Sequence, residues 1–206
     1  MVSTPRPLSA EPAIAEAASP PTSAARLSAR FSAYLIDSVV LLGFILAFFA
    51  IAGLVLWLSS NLGEEDPPDA AYYAFMGIFI GGTVIAWSAF NLALACWRSQ
   101  SAGHYITGLR IVSEDAGNIS IGRTLVRWFA LHPLLFHPLL IPVWALFAAI
   151  AVSLTLNQFV LALTLGLVAL CIVSPIAALI TAVLDGDRRT LHDRVAGTIV
   201  VPADHR

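Results

Sequence analysis

The chain has 206 residues, of which 58% are hydrophobic and only 12% charged, for a net charge of −2 and a mean hydropathy of +0.83. That composition lies outside the range of soluble domains and inside that of polytopic membrane proteins. All basic side chains are arginine, and both cysteines, Cys96 and Cys171, sit in apolar runs, so no disulfide framework is implied.

Residues 1–25, rich in Ala, Pro and Ser and without a hydrophobic run, read as a disordered cytoplasmic tail. The next run is apolar for long enough to cross a bilayer as a helix, which takes about 20 residues. It carries one charge, Asp37. Arg30 lies two helical turns earlier on nearly the same face, with Tyr34 between them. A carboxylate at that depth costs roughly 2.5–3.5 kcal/mol on insertion scales, so a plain anchor would carry Leu there. The run is too long for a signal-peptide core, and the expectation is an uncleaved span at about 31–58.

The acidic loop 59–71 contains no arginine and leads to a second expected span, about 72–96. Within it Gly77, Gly81, Val84, Ser88, Asn91 and Ala95 recur in steps of four and three, one helix face of mostly small and polar residues. The Gly77–Gly81 pair is a GxxxG, which lets another helix approach closely. Counted from the cytoplasmic ends of two antiparallel spans, Asp37 and Asn91 fall at similar depth.

Residues 98–128 form the longest polar stretch. Leu109–Ser113 and Ile119–Ile121 read as two short strands round a Gly-containing turn. Arg123–Trp128 reads as an interfacial helix, with arginines at i and i+4. Leu131–Pro142 holds three prolines and cannot be a regular helix. His132 and His137 stand there, five apart, which is not the spacing of a helical metal pair. The apolar block up to Leu184 is broken only at Asn157-Gln158. It therefore suits two spans, about 138–155 and 159–184, with a kink at Pro175. A polar segment follows, ending in a strand-like run to Val201 that could pair with the hairpin, and then a short tail, 203–206.

Four spans place every arginine on one side of the membrane, and the positive-inside rule makes that side cytoplasmic. The expected fold class is an all-α membrane protein: a four-helix transmembrane bundle with a small cytoplasmic β-hairpin or strand element. Both termini are expected in the cytoplasm and the chain in the plasma (inner bacterial) membrane.

Several of these pieces resemble the RDD family of membrane proteins, named for one arginine and two aspartates. They are Arg30 with Asp37, Ser101-Ala102-Gly103 with Gly108-Leu109-Arg110-Ile111-Val112, Gly122-Arg123 with Arg127, and the ending Thr190-Leu191-His192-Asp193-Arg194-Val195-Ala196-Gly197-Thr198. The resemblance covers roughly 26–202. It assigns the family arginine to Arg30, with Arg26 the rival, and the aspartates to Asp37 and Asp193. His104 stands where the family has a basic residue, and the 129–184 block is longer than the single span of many members. The resemblance implies a membrane protein, with transport proposed for the family and cation/proton antiport for some members.

Asp37 is the candidate ion- or proton-binding residue, with Arg30 and Asn91 as its candidate partners. The structural alternative, in which Asp37 only fixes helix packing, is equally open on sequence grounds. Asp193, flanked by His192 and Arg194, is expected to pair with Arg110, Arg123 or Arg127 in the cytoplasm. No enzyme site emerges: there is no phosphate loop, metal-ligand spacing or serine nucleophile motif, and no cofactor is expected. The arginines suit a lipid bilayer rather than nucleic acid. Expected partners are therefore the bilayer, a monovalent cation with a proton, and a second copy of the chain, for which Gly77 and Gly81 are a candidate contact; the same seam could equally pack the first two spans together within one chain. The competing reading is an accessory subunit of a larger membrane complex.

Overall fold

The computed structural model describes residues 24–115, 118–155 and 158–203. Nearly all of the expected N-terminal tail, the tip of the expected hairpin turn and most of the C-terminal tail lie outside them. Helix α1, Leu27–Ser59, is 33 residues of mostly strong helix formers, about 50 Å of helix. It stops at Asn61, Leu62 and Gly63, which all take positive φ. Pro68 then fixes an extended entry to α2, Asp69–Met76. This helix runs through a π-helical stretch, Gly77–Gly82, into α3, Thr83–Arg98.

The buried positions of this rod are Ala71, Phe75, Phe79, Ile80, Thr83, Trp87 and Asn91. That is not the face expected from Gly77 and Gly81. A Cβ added at either glycine would meet nothing within 4 Å, whereas one at Gly82 would strike the Phe48 ring at 2.5 Å. Within the chain the close approach to α1 is therefore made at Gly82. The wider π turn rotates the helix face, which a count at 3.6 residues per turn does not see.

Beyond α3 come α4, Ala102–Ile106, strand β1, Leu109–Ser113, and α5, Ile121–Phe129. The expected hairpin does not form. Ser120 accepts a hydrogen bond from the Arg123 N–H and opens α5 at Ile121, so 119–121 is not a strand. The partner of β1 is β2, Thr198–Pro202, antiparallel, with Leu109 opposite Pro202 and Ser113 opposite Thr198. Ile119 packs instead against the core of this small sheet, formed by Leu109, Ile111 and Val200.

After α5 the chain is irregular to a 3-10 turn, Pro138–Leu140. Helices α6, Ile141–Thr155, and α7, Gln158–Leu184, then form an antiparallel pair. A short α8, Leu191–Ala196, leads into β2. The main core joins Leu41 and Phe44 of α1, Phe75 and Trp87 of the second rod, and Leu140 and Val143 at the start of α6.

Three helices are long and apolar enough to cross a membrane: Leu27–Ser59, Asp69–Arg98 and Gln158–Leu184. Their outward residues are large and apolar; Val39 and Ile85 are each 69% exposed, as a lipid-facing surface requires. Helix α6 has 15 residues, about 22 Å, short of the roughly 30 Å hydrocarbon layer. The N-terminal end of α1, helices α4, α5 and α8 and the small sheet gather at one end. The acidic loop Glu64–Asp66 lies at the other end of α1.

Candidate functional site

Asp37 is buried in α1 and its carboxylate is fully engaged. Ser101 Oγ donates to Oδ2 at 2.7 Å and the Gly103 N–H donates to Oδ1 at 2.7 Å. Ser101 is also the N-cap of α4, accepting from the His104 N–H. Asp37 therefore receives the start of α4 as a docking point. Position 103 must be glycine for this: a Cβ there would lie 1.9 Å from the Ala33 carbonyl oxygen and 2.8 Å from Asp37 Oδ2. The expected partners of Asp37 are elsewhere. Arg30 is paired with another carboxylate, and Asn91, also buried, donates to the Trp87 carbonyl one turn back. No hydrogen bond joins Asp37 to Asn91 among the described residues.

The carboxylate that holds Arg30 is Asp193. It is completely buried, with Arg30 Nη1 at 3.0 Å from Oδ2 and Arg127 Nε at 2.8 Å from Oδ1. Thr190 adds its N–H at 3.2 Å and its hydroxyl at 2.8 Å, so Asp193 also closes a capping box on α8. Of the partners expected for Asp193, Arg127 is the one found. Arg123 turns to Ser113 and Asp115, while Arg110 faces outward on β1. Burial alone would raise the Asp193 carboxyl. The charges of Arg127 and Arg30 and the hydrogen bond from Arg127 outweigh it and hold the group well below the usual carboxylate range.

Two histidines stand beside Arg127. Its Nη1 lies 3.2 Å from His132 Nε2 and its Nη2 lies 3.4 Å from His192 Nε2. The two rings lie against each other, centroids 4.3 Å apart. Burial, opposed by Asp193 but reinforced by Arg127 and Arg30, pushes the His192 imidazole down to about 3, so it is neutral at pH 7. Arg194, grouped with this motif in the sequence, is outside the cluster. It pairs with Asp185 at 2.6 Å. The Arg189 N–H first, then the Arg194 guanidinium, hold the Asp185 carboxyl far below its ordinary value.

The irregular segment 131–140 runs beside this cluster and deep among the helices. Ser38 Oγ meets His137 Nε2 at 2.9 Å, Trp87 Nε1 donates to the Leu134 carbonyl at 2.6 Å, and Ser174 Oγ donates to the Leu131 carbonyl at 2.7 Å. Ser38 is eleven residues in from the start of α1, Trp87 eleven in from the end of α3 and Ser174 ten in from the end of α7. Each depth is about 16 Å of helix. The segment satisfies its own backbone with histidine side chains: Leu134 N–H donates to His132 Nδ1 and Leu139 N–H to His137 Nδ1. Non-helical backbone at such depth persists only where protein groups or a cavity accept it.

A cavity of about 330 Å³ opens in front of the cluster. Its polar wall includes Arg30, Tyr34, Asp37, His104, Arg127 and His192, and its apolar wall includes Phe31, Pro175, Ile176 and Leu179. Several buried polar atoms on the first wall have no partner among the described residues: Arg30 Nε and Nη2, the Tyr34 hydroxyl, and Nδ1 of both His104 and His192. The sequence pointed to Arg30, Asp37, Asp193 and His192. It did not point to Ser101 and Gly103 as the partners of Asp37, or to Tyr34, His132 and Thr190 as members of the cluster. Their signal was the Ser-x-Gly and Thr-x-x-Asp helix starts, which report a cap but not what the cap faces. No group of three or more His, Cys, Asp or Glu suited to a metal ion occurs among the described residues.

Three long apolar helices, a small two-stranded sheet at one end and a buried Arg–Asp–Arg cluster define a helical integral membrane protein. The model of the RDD family matches residues 24–197, and the chain belongs to that family. The match contains Arg30, Asp37, Arg127 and Asp193. No curated protein and no solved structure matches the chain.

Proposed function

We propose that this RDD protein is a small transporter that crosses the plasma membrane four times with both termini in the cytoplasm. The observation that carries the reading is the non-helical segment 131–137, held about 16 Å along the long helices from their ends, beside a cavity with unpartnered polar groups. Interrupted helices beside a polar cavity are where transporters bind solutes. In this reading the fourth crossing consists of 131–140 followed by α6, which explains why α6 alone is short. Gathering of the arginine-bearing segments at one end supports a cytoplasmic face there.

The solute site is the cluster of Arg30, Arg127 and Asp193 with its cavity. Two guanidiniums against one carboxylate, beside a neutral His192, leave the cluster itself positive. The Asp37 carboxylate on the same wall offsets that charge, but its oxygens are taken by Ser101 and Gly103, so the unpartnered donors of Arg30 favour an anionic solute over a metal cation. Cation/proton exchange at Asp37 is the other chemistry open to a transporter of this family. It would require Asp37 to release Ser101 and Gly103, so the geometry favours Asp37 as a latch for α4.

Flux through purified protein in proteoliposomes tests both, with an internal pH dye, pulses of Na⁺, K⁺ and Li⁺, and then organic anions. Anion-dependent flux that persists in Asp37→Asn is the expected result. Cation-dependent proton flux abolished by Asp37→Asn would instead make Asp37 the exchange residue. No flux of any kind from folded protein would sink transport and leave the accessory role.

A further inference from the structure

Helices α1 and α7 do not pack closely against each other. The gap between them is the cavity, walled on its apolar side by Phe31 of α1 and by Ile176 and Leu179 of α7. These same residues are more than half exposed: Phe31 60%, Ile176 51% and Leu179 61%. The cavity is therefore continuous with the lipid-facing side of the protein. It is apolar at that mouth, and its far wall carries the Arg30 and Arg127 guanidiniums with Asp37 beside them, its oxygens held by Ser101 and Gly103.

Among the described residues, Arg30 uses only Nη1 at the far wall, on Asp193. Its Nε and Nη2 are buried without a partner among those residues, and its side chain is only 10% exposed. Nε and Nη2 form one edge of the guanidinium, two parallel N–H donors spaced to meet two oxygens of one carboxylate or phosphate. Leaving charged donors unmade in a buried site costs more than leaving neutral ones. The Tyr34 hydroxyl, one helical turn further into α1, is a third unpartnered donor lining the same space. Arg127 adds a second positive charge behind them.

We propose that this cavity binds an anionic amphiphile from within the membrane, its phosphate or carboxylate head on the Nε/Nη2 edge of Arg30 and its acyl chain leaving between α1 and α7. The volume, about 330 Å³, takes a head and the first part of a chain, within the range of roughly 300–1,000 Å³ usual for ligand sites. The remaining chain lies along Ile176 and Leu179 in the bilayer. Basic pockets between membrane helices near the cytoplasmic face bind anionic heads by this combination of charge and lateral access. The inference rests on the reading of the cluster as a binding site, and it names the class of ligand that site takes.

The test is binding by native mass spectrometry and thermal shift on the purified full chain in neutral detergent. Phosphatidylglycerol, phosphatidylcholine and dodecyl phosphate are the three probes. Phosphatidylglycerol should bind and raise the melting temperature, and phosphatidylcholine should do neither. Dodecyl phosphate should compete if the head alone is read; dodecyl phosphate binding without phosphatidylglycerol binding would assign the same site to a free single-chain amphiphile. Arg30→Lys keeps a charge for Asp193 but removes the bidentate edge, and should weaken phosphatidylglycerol about 10- to 100-fold, the worth of a hydrogen bond to a charged group. Ala182→Phe, which fills the cavity from α7, should weaken it without changing the charge.

Equal binding of the two phospholipids by wild type would overturn the proposal with no variant needed. So would unchanged affinity in both variants, once lipid-free melting shows them folded. Head-selective binding without flux keeps this site and sinks transport, whereas flux without head-selective binding does the reverse.

Discussion

The Arg30 guanidinium, in the first turn of α1, donates to Asp193 Oδ2 at 3.0 Å across 163 residues of chain. Arg127 Nε holds the other oxygen at 2.8 Å. One buried carboxylate thus ties α1 to α5 and α8, and these elements cannot leave α1 without exposing or orphaning it.

Asp193→Asn should therefore be among the most damaging single changes. It leaves two buried guanidiniums with no counter-charge, and breaking such a pair from one side costs about 3–5 kcal/mol. Thermal unfolding in detergent would register this as a large fall in melting temperature. A melting temperature equal to wild type would show that the pair does not hold α8 in place.

Gly103→Ala tests the Asp37 latch. The added methyl would sit 1.9 Å from the Ala33 carbonyl oxygen, so α4 must move off α1. Overpacking of this kind costs about 1–3 kcal/mol, with the Ser101 and Gly103 hydrogen bonds to Asp37 lost in addition. Limited proteolysis should cut the segment between α3 and β1 faster in the variant, and unchanged cutting would count against the latch.

The cluster also sets the direction of pH dependence. His192 has its folded value lowered to about 3, against 6.5 in the unfolded chain. Its neutral form contributes stability that is fully present above pH 6.5 and is lost as pH falls toward 3. Asp193, also lowered, contributes stability present above its unfolded value near 3.8 and lost below it. Both terms run the same way. Stability should fall on acidification from pH 6.5, by up to about 1.4 kcal/mol per pH unit for one histidine. His192→Gln should flatten the profile between pH 6.5 and 4; an unaltered slope would place the titration elsewhere.

Gly77 and Gly81 are open on the surface of the second rod, which is what an interface with a second copy requires. Single cysteines at these positions, in a Cys96→Ser background because Cys96 is exposed, should give a disulfide dimer in membranes. A monomer under oxidation at both positions would rule that face out as a dimer contact.

Much of the architecture was legible because bilayer crossing imposes length and hydropathy on the sequence. α1, the second rod and α7 follow directly from their apolar runs. The strand-like ending, the 109–113 strand and their pairing were also visible. The second strand of the expected hairpin is absent because Ser120 caps a helix at Ile121, so β1 pairs with β2 and not with 119–121. The GxxxG pattern misplaced the intrachain contact by one residue, because the π turn breaks the 3.6 period on which the count depends.

The sequence by itself determined that this is a membrane protein of the RDD family, and that Asp37 carries a charge where burial makes charge expensive. It could not determine which carboxylate meets which donor. Arg30 and Asp37 share a helix face two turns apart, yet the guanidinium reaches Asp193 and the carboxylate reaches Ser101 and Gly103. Desolvation sets a requirement for a partner and says nothing about its identity. Tertiary packing decides that, because only the fold brings α5 and α8 to one side of α1 and the start of α4 to the other.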